Sequence, residues 1–286
     1  LQRRHPRLIA CNISGFGMDG PYAGRPGYDL VAQAMSGTMS LTGPAESDEP
    51  CRFPTAIADI TAGVYAVIGI LGALLERERT GRGRFIDVAL LDSQITWLST
   101  QAANYFASGQ PPARQGNAHP NIAPYDIFRA RDRYFLAAVG SEKLWAQFCE
   151  ALGIADVVKN DPRFAANADR LAHRNELCEL LAGIFATRDA AEWIRILEEA
   201  GVPTGPINCV DETFADPQVA ARGVVVQLEH PAIGLVRSIA NPIHDSEAMI
   251  TYRRHPPRLG EHTVEILEEL GKSLAEIQAL RAGGVI

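Results

Sequence analysis

An α/β protein with a smaller α+β block set into it is what this sequence predicts. Three observations carry the prediction. Residues 7–13 (RLIACNI) and 84–91 (RFIDVALL) are short apolar runs of the buried-strand type. Between them, residues 54–81 (PTAIADITAGVYAVIGILGALLERERTG) form a long apolar run, rich in Gly and Ala, that ends abruptly in charge. After residue 108 the composition changes, with Pro, Gly and Asn gathered over residues 109–125 and a fresh strand and helices beyond them. Strand, helix and strand with short joints is the pattern of a parallel α/β unit.

The elements follow in order. The first strand runs into SGFGMDGP, a Gly-rich loop at a strand end, where open α/β sheets bind ligands. Gly27-Tyr28-Asp29 leads into a short helix over residues 30–37 with a small-residue face. The central helix starts near Asp59 and closes on Arg77, Arg79 and Gly81, cations and a glycine suited to a helix C-terminus. Its small face (Gly63, Ala66, Gly69 or Ile70, Ala73) predicts a buried helix that another backbone approaches closely, and its apolar run is read as too short to span a membrane. Residues 91–108 read as one helix, broken by Gly109. Residues 133–139 read as a strand. Ser141-Glu142 opens a helix with Leu144, Phe148 and Leu152 on one face, and residues 174–185 and 189–200 are amphipathic helices. Residues 223–228 and 235–239 read as a strand pair, and residues 263–270 and 273–281 as closing helices.

Composition sets bounds on function. At 286 residues the chain exceeds a typical domain, and 47% hydrophobic content supports a sizeable core. A net charge of -7 offers no basic surface for nucleic acid. Five scattered cysteines without a C-x-x-C pair argue for reduced thiols, a cytoplasmic location and no zinc site.

Asp59 has two readings on local pattern. It can cap its helix, or it can be a carboxylate held at the positive end of that helix for a ligand to reach. Spacing leaves both open.

The stretches SGFGMDGPYAGRPGYDLVAQAMSG, PTAIADITAGVYAVIGILGALLERERTGRGRFIDVALLDS, GNAHPNIAPY, GVPTGPINCVDETFADPQVAARG and HPPRLGEHTVEILEELG occur in that order. Together they make the chain resemble the family III coenzyme A transferases (the CaiB/BaiF group, with formyl-CoA and carnitine CoA-transferases) along essentially its whole length. The resemblance implies a Rossmann-like large domain with an inserted α+β domain, divided at residues 1–108, 109–222 and 223–286, in an interlocked homodimer. It implies a further α/β segment ahead of Leu1 that supplies much of the CoA surface.

It also places the family's catalytic aspartate on Asp59. Tyr28 stands where the family's α-methylacyl-CoA racemases carry histidine, which points to transfer. GNAHPNIAPY resembles the subgroup that uses succinyl-CoA and a dicarboxylic acid, making His119 a candidate contact for the acceptor carboxylate. Tyr28, Gln33, Gly15, Gly17 and Leu90 are implied to line the pantetheine and thioester end. The implied chemistry runs through an aspartyl anhydride and an aspartyl-CoA thioester. Coenzyme A is then a substrate, and no metal, permanent cofactor, membrane or nucleic acid is expected. Two rivals remain: a racemase-type enzyme using Asp59 as a base, and an inactive fragment that only binds CoA.

Overall fold

The computed structural model describes residues 3–158, 160–248 and 250–286. The chain divides into two compact units, Leu1–Pro206 and Ile207–Ile286.

The first unit opens with β1 (Ala10–Ser14), α1 (Asp29–Met35), α2 (Thr38–Leu41), α3 (Ile57–Thr80), β2 (Phe85–Ala89), α4 (Leu90–Ile95) and α5 (Ser99–Ser108). β1 and β2 pair in parallel, with Ala10 opposite Phe85 and Ser14 opposite Ala89, as the strand–helix–strand pattern predicts. α3 ends where Gly81 takes φ 71° and donates its N–H to the Arg77 carbonyl at 2.8 Å. The chain then passes Gly83, where a Cβ would sit 2.0 Å from the Leu8 carbonyl oxygen. Only glycine lets the two strands start side by side there.

α3 departs from the buried helix expected of it. Ala58, Ala62, Ala66 and Ala73 are buried, and a Cβ on Gly69 would lie 3.1 Å from Ile86 Cγ2 on β2. The opposite face, with Ile60, Val64, Val67, Ile68, Leu71 and Leu75, is exposed. Small residues recur every three or four positions, so they gather on one side and the bulky aliphatics on the other. At 24 residues α3 is also long and apolar enough, by length and composition, to cross a membrane, which corrects the expectation that the run is too short. Its alanine face packs on protein. The single helix expected over residues 91–108 is interrupted by a tight 3₁₀ turn at Thr96–Leu98, followed by Ser99 at φ 39°. Two bonds to α3 hold that turn: Trp97 Nε1–H to Thr61 Oγ1 and Tyr65 O–H to Thr96 Oγ1, both 3.0 Å.

Beyond a Pro-rich stretch come β3 (Tyr125–Arg129), β4 (Tyr134–Ala138), α6 (Glu142–Ala151), α7 (Ala155–Val158), α8 (Asn167–Ala172), α9 (Arg174–Phe185), α10 (Ala190–Glu199) and β5 (Thr204–Pro206). The three strands form an antiparallel sheet in the order β3-β4-β5. The Ser141 hydroxyl caps α6, accepting the Leu144 N–H at 3.2 Å. Helices and sheet enclose an aromatic core of Phe128, Phe135, Phe148, Phe185 and Trp193. Phe185 lies edge-on to Phe135 at 5.0 Å and to Trp193 at 5.4 Å. This core is separate from a smaller one of Ala32, Ala58, Ala62 and Leu90 between α1, α3 and α4.

The second unit holds α11 (Val210–Ala215), α12 (Pro217–Ala221), β6 (Val225–His230), β7 (Gly234–Ile239), α13 (Thr263–Glu269) and α14 (Leu274–Ala282). β6 and β7 form the expected antiparallel pair, Val225 opposite Ile239.

Candidate active site

The first turn of α3 is built from two chain segments. Its N-cap residue, Ala56, has no side chain that can cap. Asp29, the first residue of α1, supplies the missing acceptor: its Oδ1 takes the Ala58 N–H at 2.8 Å. Asp29 Oδ2 in turn receives Gln33 Nε2–H at 2.7 Å, across one turn of α1. Gln33 is 1% exposed and both ends of its amide are used. Its Nε2 also reaches the Thr55 carbonyl at 3.3 Å, and its Oε1 accepts the Phe53 N–H at 2.8 Å.

Asp59 follows as the third residue of α3, exposed, its carboxylate without a hydrogen-bond partner among the described residues. The helix is thus capped by Asp29, and the Asp59 carboxylate stands free at the positive helix end.

The Gly-rich loop is held against the end of β2 and the residue that precedes Tyr28. Gly17 N–H bonds Ser14 Oγ at 3.0 Å, and Met18 N–H bonds Asp87 Oδ2 at 2.7 Å. Gly17 sits at φ 85°, a conformation suited to glycine. A Cβ on Gly15 would fall 2.6 Å from Gly27 Cα, so the loop backbone touches the residue just before Tyr28. Tyr28 itself is 77% exposed, and its carbonyl accepts the Val31 and Ala32 N–H groups that start α1. Leu90 is 7% exposed and packs with Ala32, Ala58 and Ala62 in the core beneath. Gly15, Gly17, Tyr28, Gln33, Asp59 and Leu90 therefore belong to one neighbourhood. Tyr28 and Asp59 form its exposed part, while Gln33 and Leu90 support it from below.

His119 lies on a different loop. Its Nδ1 accepts the Asn121 N–H at 3.1 Å, which leaves Nε2 to carry the proton, and its ring stacks on Tyr125 at 5.1 Å. Arg174 from α9 donates to the His119 carbonyl at 2.7 Å, and Asn167 bonds the Asn121 carbonyl at 2.9 Å and the Ala123 N–H at 3.0 Å. No described contact joins His119 to Asp59.

Sequence reasoning missed Asp29, although it directly follows Tyr28 and stands four residues before Gln33. It also missed Gln94, which is 3% exposed and walls a cavity of about 250 Å³ together with Gln33, Thr38, Phe53, Ile57 and Trp97. Gln94 Nε2 bonds Thr38 Oγ1 at 3.3 Å, while Gln94 Oε1 has no protein partner among the described residues.

Burial raises the Asp126 carboxyl above its ordinary range, against the lowering pull of the Ile127 N–H and of Arg174. Burial also pushes the Cys149 thiol up to about 12. Among the described residues, no group of three or more His, Cys, Asp or Glu side chains is placed to hold a metal ion.

Comparison with known proteins agrees with this architecture. The model of CoA-transferase family III matches residues 1–263. The succinate–glutarate CoA-transferase of Agrobacterium fabrum is 42% identical over 94% of this chain and 67% of its own length. The human succinyl-CoA:glutarate CoA-transferase is 38% identical over 93% of this chain and 60% of its own. The crystal structure of a CaiB/BaiF family protein from Brucella suis superposes with a TM-score of 0.78 at 42% identity, covering 94% of this chain and 69% of that one. The chain spans about two thirds of the length of these relatives. With a family match across most of its residues, the chain belongs to CoA-transferase family III.

Proposed function

We propose that this protein moves coenzyme A from succinyl-CoA to a dicarboxylic acid of about the size of glutarate, with Asp59 as the nucleophile. The relatives named above support the substrates. The observation that carries the mechanism is the division of labour at α3: Asp29 caps the helix, and Asp59 keeps an exposed, unpartnered carboxylate on the same first turn.

The Asp59 oxygen attacks the thioester carbonyl, the C–S bond breaks, and CoA thiolate leaves as a mixed anhydride forms. The thiolate attacks the aspartyl carbonyl of the anhydride, releasing succinate and giving an aspartyl-CoA thioester. The acceptor carboxylate attacks that thioester, and the returning thiolate completes the acceptor's CoA ester and frees Asp59. Protons are neither gained nor lost over the cycle. In the loop at residues 14–17 the Phe16 N–H is the candidate to steady the oxyanions, since the Gly17 N–H is spent on Ser14 Oγ. Tyr28, exposed just before the capping Asp29, offers no imidazole for α-proton removal, which favours transfer over racemisation. His119, as an Nε2–H donor, is the proposed contact for the far carboxylate of the acceptor. The proposed assembly is an interlocked homodimer, and the proposed location is the cytoplasm.

The test is Asp59→Ala in the full-length protein, read by CoA exchange between succinyl-CoA and glutarate and by hydroxylamine trapping. Transfer is expected to fall by at least 10³-fold, and the acyl-aspartyl adduct to vanish. A near-wild-type rate would remove Asp59 from the mechanism.

A further inference from the structure

We infer that Asp29 and Gln33 act as a clamp that sets the position of the Asp59 carboxylate, and that Gln33 is a positioning residue and makes no contact with CoA. The inference rests on the reading of Asp59 as nucleophile. Three bonds from α1 fall on the short segment that delivers Asp59: Gln33 Oε1 holds the Phe53 N–H, Gln33 Nε2 holds the Thr55 carbonyl, and Asp29 Oδ1 holds the Ala58 N–H. The segment has little else to fix it. Ala56 cannot cap, and Thr55 and Ala56 are exposed. Asp29 and Gln33 are themselves locked together at 2.7 Å, so their three contacts move as one body.

With Gln33 buried, both of its N–H donors used and its oxygen already accepting from Phe53, its amide is turned to the chain and away from a thioester or pantetheine group. A nucleophile held in place by neighbours that do not react gains through orientation, where small displacements cost large factors in rate. The Ala58 amide is the critical point. Ala58 precedes Asp59 directly and is 0% exposed in the alanine core, so the capping bond fixes the helix start in rotation as well as along its axis.

Polarity makes the clamp testable. In Asp29→Asn, the Asn oxygen can still take the Ala58 N–H, but its NH₂ then faces Gln33 Nε2, donor against donor. In Gln33→Glu, two carboxylates face one another. The double variant Asp29→Asn/Gln33→Glu restores a donor–acceptor pair between the two side chains with its direction reversed, while the Thr55 carbonyl stays without its Nε2–H donor. The full-length protein is to be compared in these three forms and as Asp29→Ala. The readouts are kcat, the KM for succinyl-CoA, and hydrogen exchange of the Ala58 and Asp59 amides.

The single variants are expected to lose at least tenfold in kcat with KM within about twofold of the parent, and to lose Ala58 protection. The double variant is expected to recover the Ala58 protection and part of kcat, the Thr55 bond staying lost. Unchanged Ala58 exchange in Asp29→Ala overturns the clamp whatever Asp59 does. Loss confined to KM overturns it in favour of a direct CoA contact. Should Asp59→Ala remain active while Asp29→Ala exposes the Ala58 amide, the clamp would be structural only and the positioning role would fall with the proposed mechanism.

Discussion

The Arg170 guanidinium, 1% exposed, meets the Glu142 carboxylate at 2.8 and 3.1 Å while also donating to the Ala123 carbonyl at 2.7 Å and the Phe164 carbonyl at 3.1 Å. It lies 4.7 Å over the Trp145 ring as well. One side chain on α8 thus ties the start of α6, the turn at Phe164 and the loop that carries His119. Arg170→Met strips partners from two carbonyls and is expected to cost about 3–5 kcal/mol in denaturant unfolding. Glu142→Gln keeps one acceptor on a half-exposed side chain and is expected to cost only about 1 kcal/mol. The reverse order would contradict this account of the cluster.

Close packing of the Gly-rich loop gives a sharper test. Gly15→Ala places a methyl 2.6 Å from Gly27 Cα, and the loop must move away from Tyr28. A loss of about 1–3 kcal/mol in stability is expected, together with reduced CoA transfer. Gly24→Ala is the control, since nothing lies within 4 Å of its added methyl. Equal behaviour of the two variants in thermal melts would refute the contact.

Proton binding has one clear signature. Glu276 accepts from both the N–H and the hydroxyl of Ser273 at the start of α14, with Lys272 nearby, and these bonds lower its carboxyl from 4.5 to about 2. The folded value is depressed. Its contribution is therefore fully present above pH 4.5 and is lost as the pH falls from 4.5 through about 2. Carboxyl NMR should show the low midpoint, and Ser273→Ala, which removes the hydroxyl but keeps the N–H that contributes most, should move it only part of the way up toward 4.5. An unchanged midpoint in that variant would remove the Ser273 hydroxyl as a cause.

Thiol chemistry sorts the cysteines. Cys11 and Cys209 are exposed, whereas Cys149 is buried with its thiol pushed up to about 12. Thiolate is the reactive form. An aromatic disulfide reagent should label Cys11 and Cys209 within minutes and reach Cys149 only after unfolding. Rapid labelling of Cys149 in the native protein would show that the aromatic core opens readily.

Much of this was legible in the amino-acid order, and the exceptions share a cause. β1, β2 and the amphipathic helices α9 and α10 are written in local periodicity, so their bounds fall within a few residues of expectation. β3 was missed because YDIFR alternates charge with apolar residues beside a Pro-rich loop. β5 was missed because Thr204-Gly205-Pro206 has no strand propensity and exists only by pairing with β4. The break at Thr96–Leu98 comes from bonds to α3, a partner distant in sequence. At the site, Asp59 was found through the family pattern. The reason its carboxylate is free was invisible, because the cap arrives from Asp29 across 29 positions of sequence.

The two separate cores have a consequence for breathing motions. His119 is fastened by Arg174 and Asn167 to the helices around Phe185, whereas Asp59 rides on the alanine cluster of Ala58 and Ala62. Sub-global opening follows such cooperative blocks. The alanine cluster buries far fewer apolar side chains than the aromatic block, so it is the block expected to loosen first. On mild heating the proposed nucleophile would lose its placement while the loop of the proposed acceptor contact stayed fastened.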